Sequence, residues 1–295
     1  MKTYVIGKND AGRRTDKFIK ESAPKLPQSL LYKYIRLKKI KVNGKRCDPG
    51  YLLCEGDCVC MYINDEFFVR EKEILSELPI DIVYENTDVL AVFKPPGLPV
   101  HCTNKKNADT LISRVKYYLR NERFTPALCN RLDVNTSGLV IAAKNSKALR
   151  EINEQLKLRQ AVRKYLCVTV NKPAKDSGTL SAYHKINKDG NVSVSFEPLD
   201  GYKEIITVYN VLKTSENGMF AEYLQAGLCL LEAELITGRK HQIRAHLSAE
   251  GFPILGDSVY GDIAANEKYG VHRQLLCAYK IELTVGGELL TVSVS

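Results

Sequence analysis

Apolar positions along the chain follow two periods, and the change from one to the other divides it. Phe18 and Ile19, then Leu30, Leu31, Tyr34 and Ile35, cluster at helical spacing, with Lys33 and Arg36 on the opposite side. This predicts two short amphipathic helices, the first capped by Thr15 or Asp16 and the second by Ser29. Residues 39–42 then read as a strand running into Asn43-Gly44, a hairpin signal, and 58–62 form a second strand-like stretch after Gly56-Asp57. From residue 80 the period shortens. Strand-like segments at 80–84 and 89–93 flank a turn, 139–143 is an unbroken apolar run, and 163–170, 192–196, 205–211, 219–224 and 228–235 follow between Gly, Asn and Asp turns. Helical spacing returns at 110–123, where Leu111, Val115, Tyr118 and Leu119 share one side, at 146–158 behind Ser146, and after Gly238. The pattern predicts an α+β chain: a small αα-β module, then a mixed, largely antiparallel sheet with flanking helices.

Residues 64–78 carry Glu66, Glu71, Glu73 and Glu77 with few apolar positions and read as a charged linker. The expected bounds are 1–70 for the first module with the start of the linker, 71–78 for the rest of it, and 79–295 for a second domain. The net charge of +9 is unevenly spread: the first 50 residues hold 14 Lys or Arg against 4 Asp or Glu, and the remainder holds 29 against 30. A polyanion-binding surface is thus an N-terminal property. Nine cysteines, with no C-x-x-C pair, read as buried reduced thiols rather than disulfides or a metal site. No apolar stretch reaches membrane-spanning length and the first residues lack a signal-peptide core, so a cytoplasmic protein is expected.

Chemistry concentrates at residues 130–144, NRLDVNTSGLVIAAK, where Arg131 and Asp133 stand beside a polar turn at the mouth of the buried run. An Arg-x-Asp beside a turn is commonly a surface ion pair, but the longer string resembles the central motif of the RluA-type RNA pseudouridine synthases. Asn130 stands where that family has a histidine, and an amide still donates and accepts hydrogen bonds. Three further segments resemble the family in order: KPPGLPVH at 94–101, Lys164-Tyr165 at a strand start, and TGRKHQIRAHL at 237–247, followed by Gly256-Asp257-x-x-Tyr260-Gly261. The third segment lacks the spacing of a P-loop, and His241 and His246 lack that of HExxH, so neither nucleotide nor zinc is indicated. On a continuous helix, Arg239 and Arg244 would project toward one groove.

Residues 14–59 resemble an S4 RNA-binding domain, through RTDKFI at 14–19, the helix ending at Arg36, Lys41-Val-Asn-Gly44 and Gly56-Asp57-x-Val59. The resemblance implies RNA contact by Arg14, Lys17, Arg36, Lys38, Lys39, Lys41, Lys45 and Arg46, and by Arg239, Lys240 and His241 of the later motif. Lys147, Arg150, Lys157 and Arg159 read as a solvated helix face, with RNA contact as the lesser alternative.

The resemblance further implies conversion of an RNA uridine to pseudouridine, with Asp133 as the catalytic carboxylate, Arg244 as its basic partner, Tyr165 stacking on the uracil and Arg131 bracing the gap left by a flipped base. The carboxylate either attacks C1′ or removes a sugar proton; both routes stay open. No cofactor or metal is implied, because nothing is oxidised and no group leaves. Large-subunit ribosomal RNA is the first expectation for the substrate and transfer RNA the second, with the protein acting as a monomer. A non-catalytic RNA binder or ribosome-assembly factor would explain the charge but not the Arg131, Asp133, Tyr165 and Arg244 set, and a glycoside hydrolase would need a second acidic partner.

Overall fold

The computed structural model describes residues 1–69, 75–101, 109–120, 124–213, 218–226 and 228–294. It divides into two compact units, Met1–Ile74 and Leu75–Ser295. Residues 71–74 of the linker expected at 71–78 and the end of the helix expected at 110–123 lie outside the described residues.

In the first unit, β1 (Lys2–Val5), α1 (Thr15–Ser22), α2 (Gln28–Arg36), β2 (Ile40–Val42), β3 (Lys45–Arg46) and β4 (Cys58–Met61) place two helices beside a four-stranded sheet ordered β1-β4-β2-β3. Strand β1 has only four residues, and no periodicity announced it. Its core joins Phe18, Ile19, Leu31 and Ile35 of the helices to Ile40, Val59 and Met61 of the sheet. Neither helix has the expected cap. α1 starts behind Arg14, and Thr15 donates its hydroxyl to the Tyr51 carbonyl at 3.0 Å; α2 starts behind Pro27, at Gln28, one residue ahead of Ser29. Asn43 and Gly44 both adopt positive φ, the two-residue hairpin geometry. Buried Asp57 locks that turn, accepting from Asn43, Tyr51 and the Cys54 N–H.

The second unit contains β5 (Asp81–Glu85), β6 (Val89–Lys94), α3 (Leu111–Tyr118), β7 (Ala127–Leu128), β8 (Ser137–Ala143), α4 (Ser146–Lys157), β9 (Val162–Thr169), β10 (Ser177–Ile186), β11 (Val192–Ser195), β12 (Lys203–Leu212), α5 (Ala221–Gln225), β13 (Cys229–Leu235), α6 (Gln242–Ala249), α7 (Ile263–Tyr269), β14 (Leu276–Val285) and β15 (Glu288–Ser293). They build one sheet, ordered β11-β10-β12-β13-β9-β14-β8-β6-β5, with β15 against β14 and β7 against β8. Its one parallel pairing, β14 with β8, sits near the middle. The apolar run at 139–143 is explained there. Val140 and Ala142 join the core under α3 and α6, while Leu139, Ile141 and Ala143 join the core under α4, so both faces are buried. Gly138 permits the parallel contact: its φ is +113°, and a Cβ would lie 2.2 Å from the Ala278 carbonyl oxygen.

Several local expectations give way. Asn145, not Ser146, caps α4, accepting from the Ala148 N–H at 2.9 Å. Tyr118 turns outward to Glu85, leaving Leu111, Val115 and Leu119 to face the core. Residues 219–224 form a turn into α5 rather than a strand, with Phe220 in the left-handed region and packed edge-on to Tyr223. The eight described cysteines are free, but not uniformly buried: Cys47, Cys167, Cys229 and Cys277 are, whereas Cys54 is exposed. Among the described residues no helix is long and apolar enough to cross a membrane.

Candidate active site

Asp133 occupies the turn that leads into β8, and groups distant in sequence hold that turn. The buried Lys94 ammonium at the end of β6 donates to the carbonyls of Pro95, Leu98 and Val134 at 2.9, 3.0 and 2.8 Å. Burial pulls its pKa down to about 8, with the negative charge of Asp133 opposing. Gly97 N–H also donates to the Val134 carbonyl, which ties the Pro-Pro-Gly loop to the residue after Asp133. On the preceding side, Asn130 donates its amide to the Leu139 carbonyl at 3.0 Å and accepts from the Ile141 N–H at 2.8 Å. An amide side chain does both jobs without a charge, so its place before Arg131 is structural in this chain. Gln274 donates to Thr136 at 2.9 Å and closes the turn from below.

Arg244, on α6, is buried and faces this turn. Its Nε and Nη2 form a fork with Asp257 at 2.7 and 2.9 Å, and its Nη1 donates to Asp133 Oδ2 at 3.0 Å. Burial pushes Asp257 upward, but the fork and the N–H groups of Tyr260 and Val259 outweigh it and hold the carboxyl below its ordinary range. Two anions therefore bracket one buried cation. This arrangement fixes the guanidinium plane and leaves Asp133 Oδ1 toward the cleft. His241 Nε2 lies 3.9 Å from that oxygen, too far for a hydrogen bond. Burial lowers the His241 pKa, so the ring is neutral at neutral pH. Its Nδ1 meets the Tyr260 hydroxyl at 3.0 Å, and that oxygen already accepts from the Val192 N–H at 2.9 Å.

The 237–247 segment is not one helix. His241 has φ 53° and α6 begins at Gln242, so Arg239 and Lys240 stand on the turn before it, and their relation to Arg244 is not the helical one expected. Gln242 fastens this turn, accepting from Thr237 and the Arg239 N–H and donating to the Ile206 carbonyl and Thr207. His246 lies on the far side, against Thr207. It is held neutral by burial that lowers its pKa to about 4.

Around Asp133 opens a cleft of ≈ 760 Å³, lined by Arg131, Asp133, Tyr165, Arg239, Lys240, His241 and Arg244, and also by His101, Lys157, Arg159 and Arg163. Among the described residues Asp133 is the one carboxylate on its wall. Tyr165, on β9, forms part of the floor; its hydroxyl has no hydrogen-bond partner among the described residues, and burial pushes its pKa up to about 12. Arg131 is exposed at the rim. Lys157 and Arg159 are exposed, as a solvated helix face would be, and also border the cleft, while Lys147 pairs with Glu151. Among the described residues no group of three or more His, Cys, Asp or Glu is placed to hold a metal ion.

In the first unit, Arg14 forks onto Asp16, and among the described residues Lys17, Arg36, Lys38, Lys39, Lys41, Lys45 and Arg46 make no ion pair. All but half-buried Lys41 are exposed, and Lys39 and Lys41 lie over the rings of Tyr34 and Tyr62. Sequence reasoning assigns no role to Lys94, Asp257 or Tyr260, although each lies within a motif. A lysine closing an apolar strand before Pro-Pro was the available signal for the first.

Residues 88–249 match the RNA pseudouridylate synthase family, and residues 13–59 match the S4 domain. The chain is 31% identical to an uncharacterised RNA pseudouridine synthase of Mycoplasma capricolum, with 96% of this chain and 91% of that protein covered. It is 30% identical to ribosomal large subunit pseudouridine synthase C of Rickettsia conorii, over 90% of this chain and 88% of that one. The solved structure of human RNA pseudouridylate synthase domain containing 1 shares the fold, with a TM-score of 0.59 at 23% identity, covering 77% of this chain and 86% of that one. The chain belongs to the RNA pseudouridylate synthase family. It is an RNA pseudouridine synthase that carries an S4 domain ahead of its catalytic fold.

Proposed function

We propose that the enzyme isomerises a uridine of large-subunit ribosomal RNA in the cleft around Asp133, acting in the cytoplasm as a monomer. The observation that carries the site assignment is the Asp257–Arg244–Asp133 relay, which holds one carboxylate in a cleft whose other charged lining residues, among those described, are Arg and Lys. The ribosomal substrate rests on the names of relatives such as the Rickettsia conorii enzyme. Mapping pseudouridines in total RNA with and without the gene tests it; a lost site in transfer RNA alone would overturn the ribosomal assignment.

Asp133 Oδ1 is the reacting oxygen, whether it attacks C1′ or takes a sugar proton. Arg244 stabilises the carboxylate and aims it, and the charge of Arg244 is in turn secured by Asp257. The glycosidic bond breaks, uracil turns on the Tyr165 floor, and C5 rejoins C1′. Because the uridine must leave its stack to reach Asp133, Arg131 at the rim is placed to brace the vacated position.

Tyr165 has two separable duties. Its phenol remains protonated at any working pH, so a C5 proton relay would use the neutral hydroxyl. Tyr165→Phe keeps the stacking face and should lower turnover by roughly 10²-fold if the hydroxyl relays protons. Unchanged isomerisation by the purified variant would confine Tyr165 to stacking.

The first unit supplies affinity, through Arg14, Lys17, Arg36, Lys38, Lys39, Lys41, Lys45 and Arg46. Three or four phosphate contacts would each contribute about −0.7 to the slope of log affinity against log salt on single-stranded RNA. A chain starting at Leu75 keeps the bond from the Ser76 hydroxyl to Asp109 and the whole cleft. Its slope should be flatter by roughly two to three units than that of the full chain. An unchanged slope means that the N-terminal charge does not touch RNA.

A further inference from the structure

At the start of β9, Arg163 and Lys164 are adjacent in sequence but opposite in circumstance. Strand alternation sends Lys164 to one face, where it pairs with Glu232 at 2.9 Å, and Arg163 to the other, two residues from Tyr165 and on the same cleft wall. Arg163 has no carboxylate. Its Nη2 donates to the Leu235 carbonyl at 3.0 Å, its Nε is buried without a partner, and no ion pair reaches it among the described residues. A half-buried guanidinium with a missing hydrogen bond and no counter-ion is destabilising in the free protein. An anion arriving in the cleft would offset that cost.

The neighbouring backbone is shaped around this group. A Cβ at Gly238 would lie 2.7 Å from Arg163 Nη1, so the glycine of the Thr237-Gly-Arg turn makes room for the guanidinium. Two segments with 74 residues between them are thus fitted to each other at this cation. Lys157 and Arg159 border the same cleft from the end of α4. Cations at a helix C-terminus are common for dipole reasons, so those two alone would indicate nothing. Arg159, however, sits at φ 59°, a position that favours glycine or asparagine. Its side chain is retained despite that strain.

We propose that Arg163 grips a backbone phosphate next to the target uridine, and that Arg159 and Lys157 continue the phosphate track along the turn between α4 and β9. This rests on the reading of the cleft as the uridine site. The uracil has Tyr165 and the sugar has Asp133. The phosphate beside them is the anionic part of the substrate, and Arg163 is the half-buried cation on that wall whose Nε is buried without a partner among the described residues. A seat at this depth sets how far the nucleotide enters, so its effect falls on bound-state geometry as well as affinity.

The test uses the full chain and a short single-stranded RNA with one central uridine, made with a neutral methylphosphonate at each flanking linkage in turn. For the wild-type protein, one linkage should weaken binding by about ten-fold. Arg163→Gln should lose a similar factor on the unmodified RNA and become indifferent to that same linkage, and Arg163→Lys should recover part of the loss. Gly238→Ala deletes no charge and adds one methyl at an exposed turn; it should reproduce part of the defect by displacing the guanidinium. Retained sensitivity to every linkage in Arg163→Gln, or wild-type binding by Arg163→Gln or by Gly238→Ala, overturns the proposal. Pseudouridine formation by the wild-type enzyme on cellular RNA is scored separately: its absence defeats the uridine-site reading, whereas normal formation with additive linkage effects defeats only the phosphate seat.

Discussion

Asp133→Asn is expected to abolish pseudouridine formation, by more than about 10³-fold, while RNA affinity stays within a few-fold of wild type. The amide keeps the shape of the carboxylate and can still accept the bond from Arg244 Nη1, so the turn held by Lys94, Asn130 and Gln274 has no reason to move. What is lost is the anionic oxygen directed into the cleft. Tritium release from C5-labelled uridine measures the first quantity and filter binding the second. Turnover by the purified variant would remove Asp133 from the chemistry.

Arg244→Ala should fail on two counts. Catalysis should fall by roughly 10²- to 10³-fold, because Asp133 loses the donor that aims it. Stability should fall as well, by about 3–5 kcal/mol, because Asp257 is left as a buried, unpaired carboxylate. Thermal unfolding separates this from a purely catalytic lesion. Arg244→Lys restores a charge but not a fork, and should recover stability better than rate. A variant with normal thermal stability and normal turnover would mean that the relay contributes nothing to either.

The motif residues were legible because their types and order are themselves informative: Asp133, Arg244 and Tyr165 meet in one cleft as the sequence implied. Their supports were harder to read. Lys94 looks like an ordinary strand-end lysine until three carbonyls from two loops converge on it, and Asp257 looks like a turn aspartate until Arg244 reaches it from α6. Such partners are set by tertiary closure, which periodicity does not encode. The caps failed for a related reason, since the Thr15 hydroxyl finds Tyr51, 36 residues away, in place of a local N–H. The continuity imagined from Arg239 to Arg244 broke at His241, where a histidine takes a left-handed conformation that sequence would assign to glycine or asparagine. Arg163 was within reach: strict alternation through Tyr165 and Cys167 places it on the cleft side.

The ties around Asp133 also set when the enzyme comes into being. Arg244 lies 111 residues beyond that carboxylate, and Gln274 lies 138 beyond Thr136. The parallel contact of β8 with β14 joins segments separated just as widely. No local fragment holds the Asp133 carboxylate in place, and in chain order the S4 unit precedes by far the segments that fix it. Closure of such distant pairs is slow and cooperative. The contacts that fix Asp133 are complete only when the last strands enter the sheet.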